Sequence, residues 1–159
     1  MPSDVCAYHG QHIDGGKIDE KISLEHDIEN GNYNSLVQVD SDTYALAYTS
    51  AAKDGHISTF TISPDGTITP ITIQNHAAFA SASENLEHID SVGRYNSLVH
   101  VTSDTYALAH SGSGGDGYIS TFTISSDGVT VTGPLDTLEH DEHRGQYNSL
   151  VQVDSNTYV

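Results

Sequence analysis

One phrase of the sequence occurs three times and limits the architectures open to the chain. It reads Tyr-Asn-Ser-Leu-Val and begins at Tyr33, Tyr95 and Tyr147. A Leu-Glu-His phrase precedes each copy, and its starts lie 62 residues apart (Leu24 to Leu86) and then 52 apart (Leu86 to Leu138). A repeat of this length is one supersecondary unit, which buries its apolar faces against its neighbours. The sequence therefore predicts a tandem array of similar units.

The longer spacing is explained by an insertion in the first copy. Residues 74–83 read QNHAAFASAS and have no counterpart in the next copy, so the underlying period is 52. The segment is rich in Ala, carries His76 and Phe79, and breaks the symmetry of the repeat. Loops of this kind often carry contacts to other molecules. We predict that this one contacts a partner or another subunit.

Within one period the residues alternate as in four short antiparallel strands joined by tight turns. In the first complete copy we predict strands a, b, c and d at residues 33–39, 43–49, 56–63 and 67 to about 73. Asp and Gly fill the turns, because Asp caps its own backbone and Gly accepts positive φ. Thr, Ser, Tyr, Val and Ile are abundant, and no long stretch favours a helix. The predicted fold class is all-β.

The order of these signals resembles that of the WD-repeat and related β-propeller families. This chain and those families share the order of a His-bearing connection, strand a, a turn, strand b, an Asp-Gly turn, strand c, a Gly turn and strand d. The resemblance covers nearly the whole chain but is one of pattern. The Trp-Asp dipeptide that names the WD family is missing, and Phe60-Thr61 and Phe122-Thr123 stand in its place. It implies four-stranded blades arranged radially, with each strand a lining a central channel.

We interpret the chain as a single propeller domain, 1–159, with three blade equivalents and offset ends. The parts are a c–d hairpin at 1–23, a full blade at 24–85 with the insertion at 74–83, a full blade at 86–137, and strand a with the start of strand b at 138–159. The two ends are complementary halves of a blade, and open strand edges pair with other chains. We therefore expect a homodimer that closes a six-bladed ring. The alternative is a fragment of a longer repeat protein with no independent function.

The charge of the chain disfavours two classes of partner. Asp and Glu number 22 against 5 Lys and Arg, which gives a formal net charge of −17 at pH 7. Such a field repels phosphate backbones and anionic lipids, so we predict no nucleic-acid and no membrane partner. The single cysteine, Cys6, cannot form an intramolecular disulfide. No targeting pattern is visible, and the compartment stays open, with an extracellular or cell-surface location favoured.

The resemblance places the connections before strand a on the face where propellers usually bind ligands. The candidate ligand-binding residues are those repeated there: His26, His88, His140, Tyr33, Tyr95, Tyr147, Asn34, Asn96 and Asn148. Each has an alternative structural role. The resemblance implies that the His bonds inside its blade with help from Asp54 or Asp116. The Tyr could pack between blades while Asn and Ser satisfy the entering backbone, or the phrase could hold a sugar or peptide.

No nucleophile–base pair, phosphate loop or catalytic serine elbow is visible in the sequence. Catalysis needs different residues in different roles, whereas these copies repeat the same ones. We predict a non-catalytic binding or interaction module for a glycan or a protein. The alternative is a propeller hydrolase or lyase with a His and carboxylate site at the channel mouth, where a divalent cation is possible. No metal or cofactor is predicted, because the repeated His form no zinc motif.

Two acidic turns resemble the opening of a calcium-binding loop. They are Asp40-Ser41-Asp42 and Asp154-Ser155-Asn156. A Thr-Tyr pair follows each, where a calcium loop needs a further ligand. Ordinary turn chemistry explains these residues better.

Overall fold

A computed structural model describes residues 23–27, 31–73, 85–90 and 92–159 of the chain. The regular structure in these ranges is antiparallel β-sheet with one short 3-10 turn and no α-helix, which confirms the all-β prediction. None of the helical structure in the same ranges is long and apolar enough to cross a membrane. The predicted hairpin at 1–23, apart from Ser23, and the insertion at 74–83 lie outside the described residues.

The first sheet contains five strands, four of them in a meander. The meander order is β1-β2-β3-β4, and β5 pairs with the part of β3 that β4 leaves open. Strand b of the sequence prediction corresponds residue for residue to β2, because a turn at each end and the alternation of large and small side chains bound it. The strands are β1 Asn32–Gln38, β2 Thr43–Thr49, β3 Gly55–Ile62, β4 Ile68–Ile71 and β5 Asn85–Ile89.

The second sheet repeats this meander with four strands, and a small hairpin follows it. The order is β6-β7-β8-β9, with a 3-10 turn at Ser113–Gly115 before β8. The strands are β6 Arg94–Thr102, β7 Thr105–Ser111, β8 Gly117–Ile124 and β9 Val131–Asp141, and the hairpin is β10 Gln152–Asp154 with β11 Thr157–Tyr158.

The sequence analysis predicted that the Leu-Glu-His phrases are connections before strand a. Those at Leu86 and Leu138 are instead parts of strands. They lie in β5 and β9, where Glu87 pairs with His56 and Glu139 pairs with Tyr118. Leu86 and His88 point to the buried side and Glu87 between them is exposed, which is the alternation of a strand. The insertion hid this continuity because it separates β5 from β4. The first sheet therefore ends at Ile89 and the second at Asp141.

The two sheets pack face to face. Alternate side chains of the first sheet, such as Ala47 and Ile57, are buried against the face of the second sheet that carries Leu108 and Phe122. The side chains in between, such as Phe60, point to the opposite face of the first sheet and are only half-buried. Each sheet thus has one face covered by the other sheet and one face that the other sheet does not cover.

The last strand is interrupted at neighbouring positions of the repeat in the two sheets. In the first sheet Thr59 pairs with Ile71, whereas the next residue, Ser58, pairs with Asn85. In the second sheet the register shifts between Thr121 and Thr123, which correspond to Thr59 and Thr61 of the first sheet. The discontinuity is therefore common to both units, and the first sheet carries its insertion there.

Candidate functional site

The repeated Gly-x-Tyr-Asn segments begin each unit with the same turn. Tyr33, Tyr95 and Tyr147 have φ values of 52°, 55° and 57°, in the left-handed region. The side-chain amide of the following Asn donates to the carbonyl of the Gly three residues earlier, at 3.0 Å for Asn34, 3.3 Å for Asn96 and 3.1 Å for Asn148. The amide holds the strained turn closed, so all three candidate Asn side chains support the backbone.

The Ser of the first two phrases connects one unit to the next. Ser35 Oγ accepts a hydrogen bond from the Leu98 backbone N–H at 2.8 Å, and Ser97 Oγ accepts one from the Leu150 N–H at 2.9 Å. These donors lie at equivalent positions one repeat further along the chain. Strands β1 and β6 therefore run side by side, and the segment around Leu150 follows β6 at the same offset.

The three tyrosines form a row across the units. Ring centroids of Tyr33 and Tyr95 are 4.5 Å apart, and those of Tyr95 and Tyr147 are 4.8 Å apart. The side-chain hydrogen bond with Tyr33, followed by partial desolvation and the neighbouring hydroxyls, raises the pKa of Tyr95. Tyr33 and Tyr147 are exposed. The left-handed turn directs the ring of each unit towards that of the next, and we call this set the tyrosine row.

The three candidate histidines have different surroundings. His26 is half-buried, and its Nε2 lies 3.2 Å from Asn34 Oδ1. His88 is only 8% exposed, and neither of its ring nitrogens has a hydrogen-bond partner. His140 is exposed and lies against Gly117, where a Cβ would come within 2.5 Å of its ring. For His88, the hydrogen bond that the resemblance implied is therefore not formed.

His88 belongs to a buried pair between the two sheets. Its ring centroid is 5.0 Å from that of His110 and 6.1 Å from that of Phe122. Burial lowers the pKa of His88 well below its ordinary value, and His110 and His56 lower it further. Burial also lowers the pKa of His110, whose Nε2 lies 3.1 Å from Ser120 Oγ. Both rings are therefore neutral at pH 7.

Around this buried pair, positions that carry Tyr in one sheet carry His in the other sheet. In the first sheet Tyr48 contacts His26 and His56, with centroid distances of 4.8 and 5.5 Å. The equivalent residues of the second sheet are His110, His88 and Tyr118. The ring contacts are kept while the side chains differ, so the two sheets are not chemically equivalent at this point.

Carboxylates accompany His56 in the first sheet. One ligand atom from each of Asp54, His56 and Glu87 lies within 4.8 Å of the others. The sequence analysis missed this group because it compared copies for their shared residues, and His56 is Tyr118 in the other copy. A sequence signal was present: His56 follows Asp54-Gly55 and pairs with Glu87 of the second Leu-Glu-His phrase.

The close approach of two glycines was also missed. A Cβ on Gly93 would lie 2.4 Å from Gly55 Cα, and one on Gly145 would lie 2.0 Å from Gly117 Cα. Gly31, Gly93 and Gly145 each stand seven residues after a Leu-Glu-His start, so the repeat itself marks them. The Thr49 hydroxyl donates to the Gly93 carbonyl at the first of these contacts.

The face of the first sheet that the second sheet does not cover carries an apolar cavity of about 240 Å³. Its lining includes His26 and Asn34 beside Leu46 and Phe60. The equivalents of the last two, Leu108 and Phe122, are fully buried by the first sheet. The cavity therefore occupies the place that a neighbouring sheet fills one unit further on.

The two acidic turns have turn geometry. Asp40 Oδ1 accepts the Ser41 backbone N–H at 2.7 Å, and Asp154 Oδ1 accepts the Asn156 N–H at 3.0 Å. The carboxylates thus satisfy their own backbone, as the sequence analysis predicted.

Comparison of the chain with family models, with curated proteins and with solved structures finds no match. The geometry of the described residues alone therefore carries the functional argument.

Proposed function

We propose that the chain is a non-catalytic binding module of the β-propeller type and that it holds a neutral glycan on the tyrosine row. The observation that carries the proposal is the row itself: three identical side chains, 4.5 and 4.8 Å apart by centroid, in the same backbone conformation. Exposed aromatic rings with hydroxyls combine an apolar surface with hydrogen-bonding groups. A repeated surface of this kind suits a ligand that itself repeats.

The charge of the protein narrows the ligand class. At a net charge of −17 the surface repels sulfated, phosphorylated and uronic-acid polymers. Neutral sugars, which offer hydroxyls and C–H faces to aromatic rings, are not repelled. A protein ligand is the second candidate, because the same rings serve as anchors in protein interfaces.

The test is binding of neutral oligosaccharides on a glycan array, followed by titration in solution. The chain has 9 Tyr and no Trp, so its ultraviolet emission reports on tyrosine directly. Tyr147→Ala, at the exposed end of the row, is expected to weaken binding at least tenfold. The matched control is Tyr44→Phe, which removes the hydroxyl of a tyrosine outside the row that stacks on Phe60. If Tyr147→Ala binds as tightly as the wild type, the row is not the ligand surface.

We also propose that two chains complete one ring, because equivalent leucines differ sharply in exposure. Leu86 is 1% exposed and its equivalent Leu138 is 64% exposed, whereas Leu98 is 4% exposed and its equivalent Leu36 is 54% exposed. Each buried member lies between the two sheets. Each exposed member lies on a side that the other sheet does not cover, and a further unit there removes apolar surface from water.

Light scattering after size exclusion tests this assembly. We expect twice the mass of one chain at micromolar concentration, and a shift to the single mass for Leu138→Asp. Ser41→Asp, in the exposed turn between β1 and β2, is the control and keeps the double mass. A wild-type protein that stays at the mass of one chain in dilute solution would contradict the two-chain ring without affecting the ligand surface.

A further inference from the structure

The register of the first sheet brings three side chains with metal-binding atoms together. Asp54 directly precedes β3, and His56 lies two residues further on, so both point to the same face of the strand. Glu87 of β5 is the cross-strand partner of His56. Directly opposite residues of antiparallel strands also share a face. The backbone alone thus places two carboxylates and one imidazole side by side.

The separation of these groups is close to that of ligands around one ion. A ligand atom of each residue lies within 4.8 Å of the other two. Ligands at about 2.1 Å from a tetrahedral zinc ion are roughly 3.4 Å apart. Rotation of the exposed Glu87 side chain shortens these separations without movement of either strand.

The imidazole of His56 is suited to coordination. Its Nδ1 is buried and has no hydrogen-bond partner. Imidazole is the commonest nitrogen ligand of metal ions in proteins, and it coordinates through a nitrogen that is not already protonated. Asp27 places a third carboxylate near the ring.

The second sheet shows the same positions with different chemistry. Asp116, Tyr118 and Glu139 replace Asp54, His56 and Glu87, and Tyr118 pairs with Glu139 in the same register. The Tyr118 hydroxyl makes a side-chain hydrogen bond with Asp116. In the second sheet a phenol therefore hydrogen-bonds the carboxylate, whereas in the first sheet an imidazole lies between two carboxylates.

We propose that Asp54, His56 and Glu87 bind a divalent transition-metal ion, with Zn²⁺ as the best fit. One imidazole and two carboxylates suit zinc and its neighbours in the first transition series better than Ca²⁺ or Mg²⁺, which take oxygen ligands. The sequence analysis predicted no metal, but it considered the repeated His26, His88 and His140. The site is independent of the proposed glycan surface.

The test uses protein stripped with a chelator and titrated with Zn²⁺ alone by calorimetry. We expect one strong equivalent per chain and a higher melting temperature with zinc. His56→Tyr copies the residue of the second sheet and is expected to weaken zinc binding at least tenfold, as is the exposed change Glu87→Gln. Circular dichroism verifies that both variants fold.

The reciprocal variant is the sharpest control. Tyr118→His supplies the missing imidazole between Asp116 and Glu139, and we expect a second equivalent of zinc per chain. His143→Gln removes an exposed histidine outside the site and leaves the binding unchanged. Zinc binding that is equally strong in His56→Tyr and Glu87→Gln, or no strong equivalent in the wild type, overturns the proposal. Ca²⁺ binding that survives His56→Tyr at full strength would assign the carboxylates to an oxygen-only site instead.

Discussion

The first sheet, Asn32–Ile89, and the second, Arg94–Asp141, are built from nearly the same residues but differ in what covers them. Phe122 is completely buried against the first sheet, whereas its equivalent Phe60 is half-buried and lines a cavity. The sequence of a strand therefore does not decide its burial here. Its neighbour does, and the interface between units is the element on which stability depends.

Truncation of the equivalent phenylalanines has the largest expected effect. Phe122→Ala is expected to lower the free energy of unfolding by about 3–5 kcal/mol, as for other fully buried aromatic residues. In the single chain, Phe60→Ala is expected to lower it by about half as much, because less apolar area leaves water. Urea denaturation of both variants measures the difference. Equal losses would mean that a further unit covers Phe60 in solution, as the proposed two-chain ring requires.

The glycine contacts also differ between the interface of the two sheets and the entry to the first sheet. Gly93→Ala places a Cβ 2.4 Å from the backbone of Gly55, which cannot yield without displacement of a strand. We expect a loss of about 1–3 kcal/mol in the free energy of unfolding. At Gly31 the obstacle is the side chain of His26, which can rotate away, so Gly31→Ala costs less. Thermal denaturation ranks the variants, and the reverse order would contradict the contact between the sheets.

Acid is expected to weaken the interface through His88 and His110. The pKa of each is lowered in the folded protein, chiefly by burial, so the unfolded chain takes up protons first as the pH falls. The contribution of the two neutral histidines to stability is fully present above about pH 6.5, the ordinary pKa of His. It decreases as the pH falls from there towards the pKa values of the folded protein. We expect a loss of roughly 1 kcal/mol or more between pH 7 and 5.

His88→Leu tests the origin of this acid sensitivity. The change removes a ring that makes no hydrogen bond, so stability at pH 7 is retained and the slope below pH 6.5 becomes smaller. His110→Tyr, which copies Tyr48 of the first sheet, is the companion variant. An unchanged slope in both variants would assign the acid sensitivity to other groups.

The smallest expected effect concerns the tyrosine row. Tyr33→Phe removes the hydrogen-bond partner that contributes most to the raised pKa of Tyr95. The pKa of Tyr95 is then expected to move back towards 10.0, which ultraviolet titration of the phenolate measures. Tyr44→Phe serves as the reference. A titration curve of Tyr33→Phe that loses one group without shifting another would show that the hydroxyls do not interact.

The strand pattern could be predicted where sequence and pairing are continuous. Residues 43–49 were assigned correctly because turns bound them and side chains alternate. The last strand could not be predicted, since the insertion separates β4 from β5 and only pairing with β3 shows that they belong together. Periodicity describes one strand at a time and contains no information on which strand lies beside it.

The site residues divide in the same way. The backbone role of Asn34 and its equivalents is local, within three residues, and the sequence analysis included it as an alternative. The group of Asp54, His56 and Glu87 spans the insertion, and its His differs from the equivalent residue of the other copy. A search for shared residues finds what the units have in common and overlooks what distinguishes one unit. The glycine pairs were visible in the repeat, but their mutual approach is a property of three dimensions.

The interruption of the last strand in both sheets has an evolutionary consequence. Because β3 pairs with β4 up to Ile71 and with β5 from Asn85, chain added after the buried Ile73 and before Asn85 leaves the ladder on both sides intact. The second sheet has only a register shift near the equivalent point. A unit of this kind can therefore gain sequence there without a change in the contacts between units, and similar units can diverge at this position while the rest of the sheet stays under constraint.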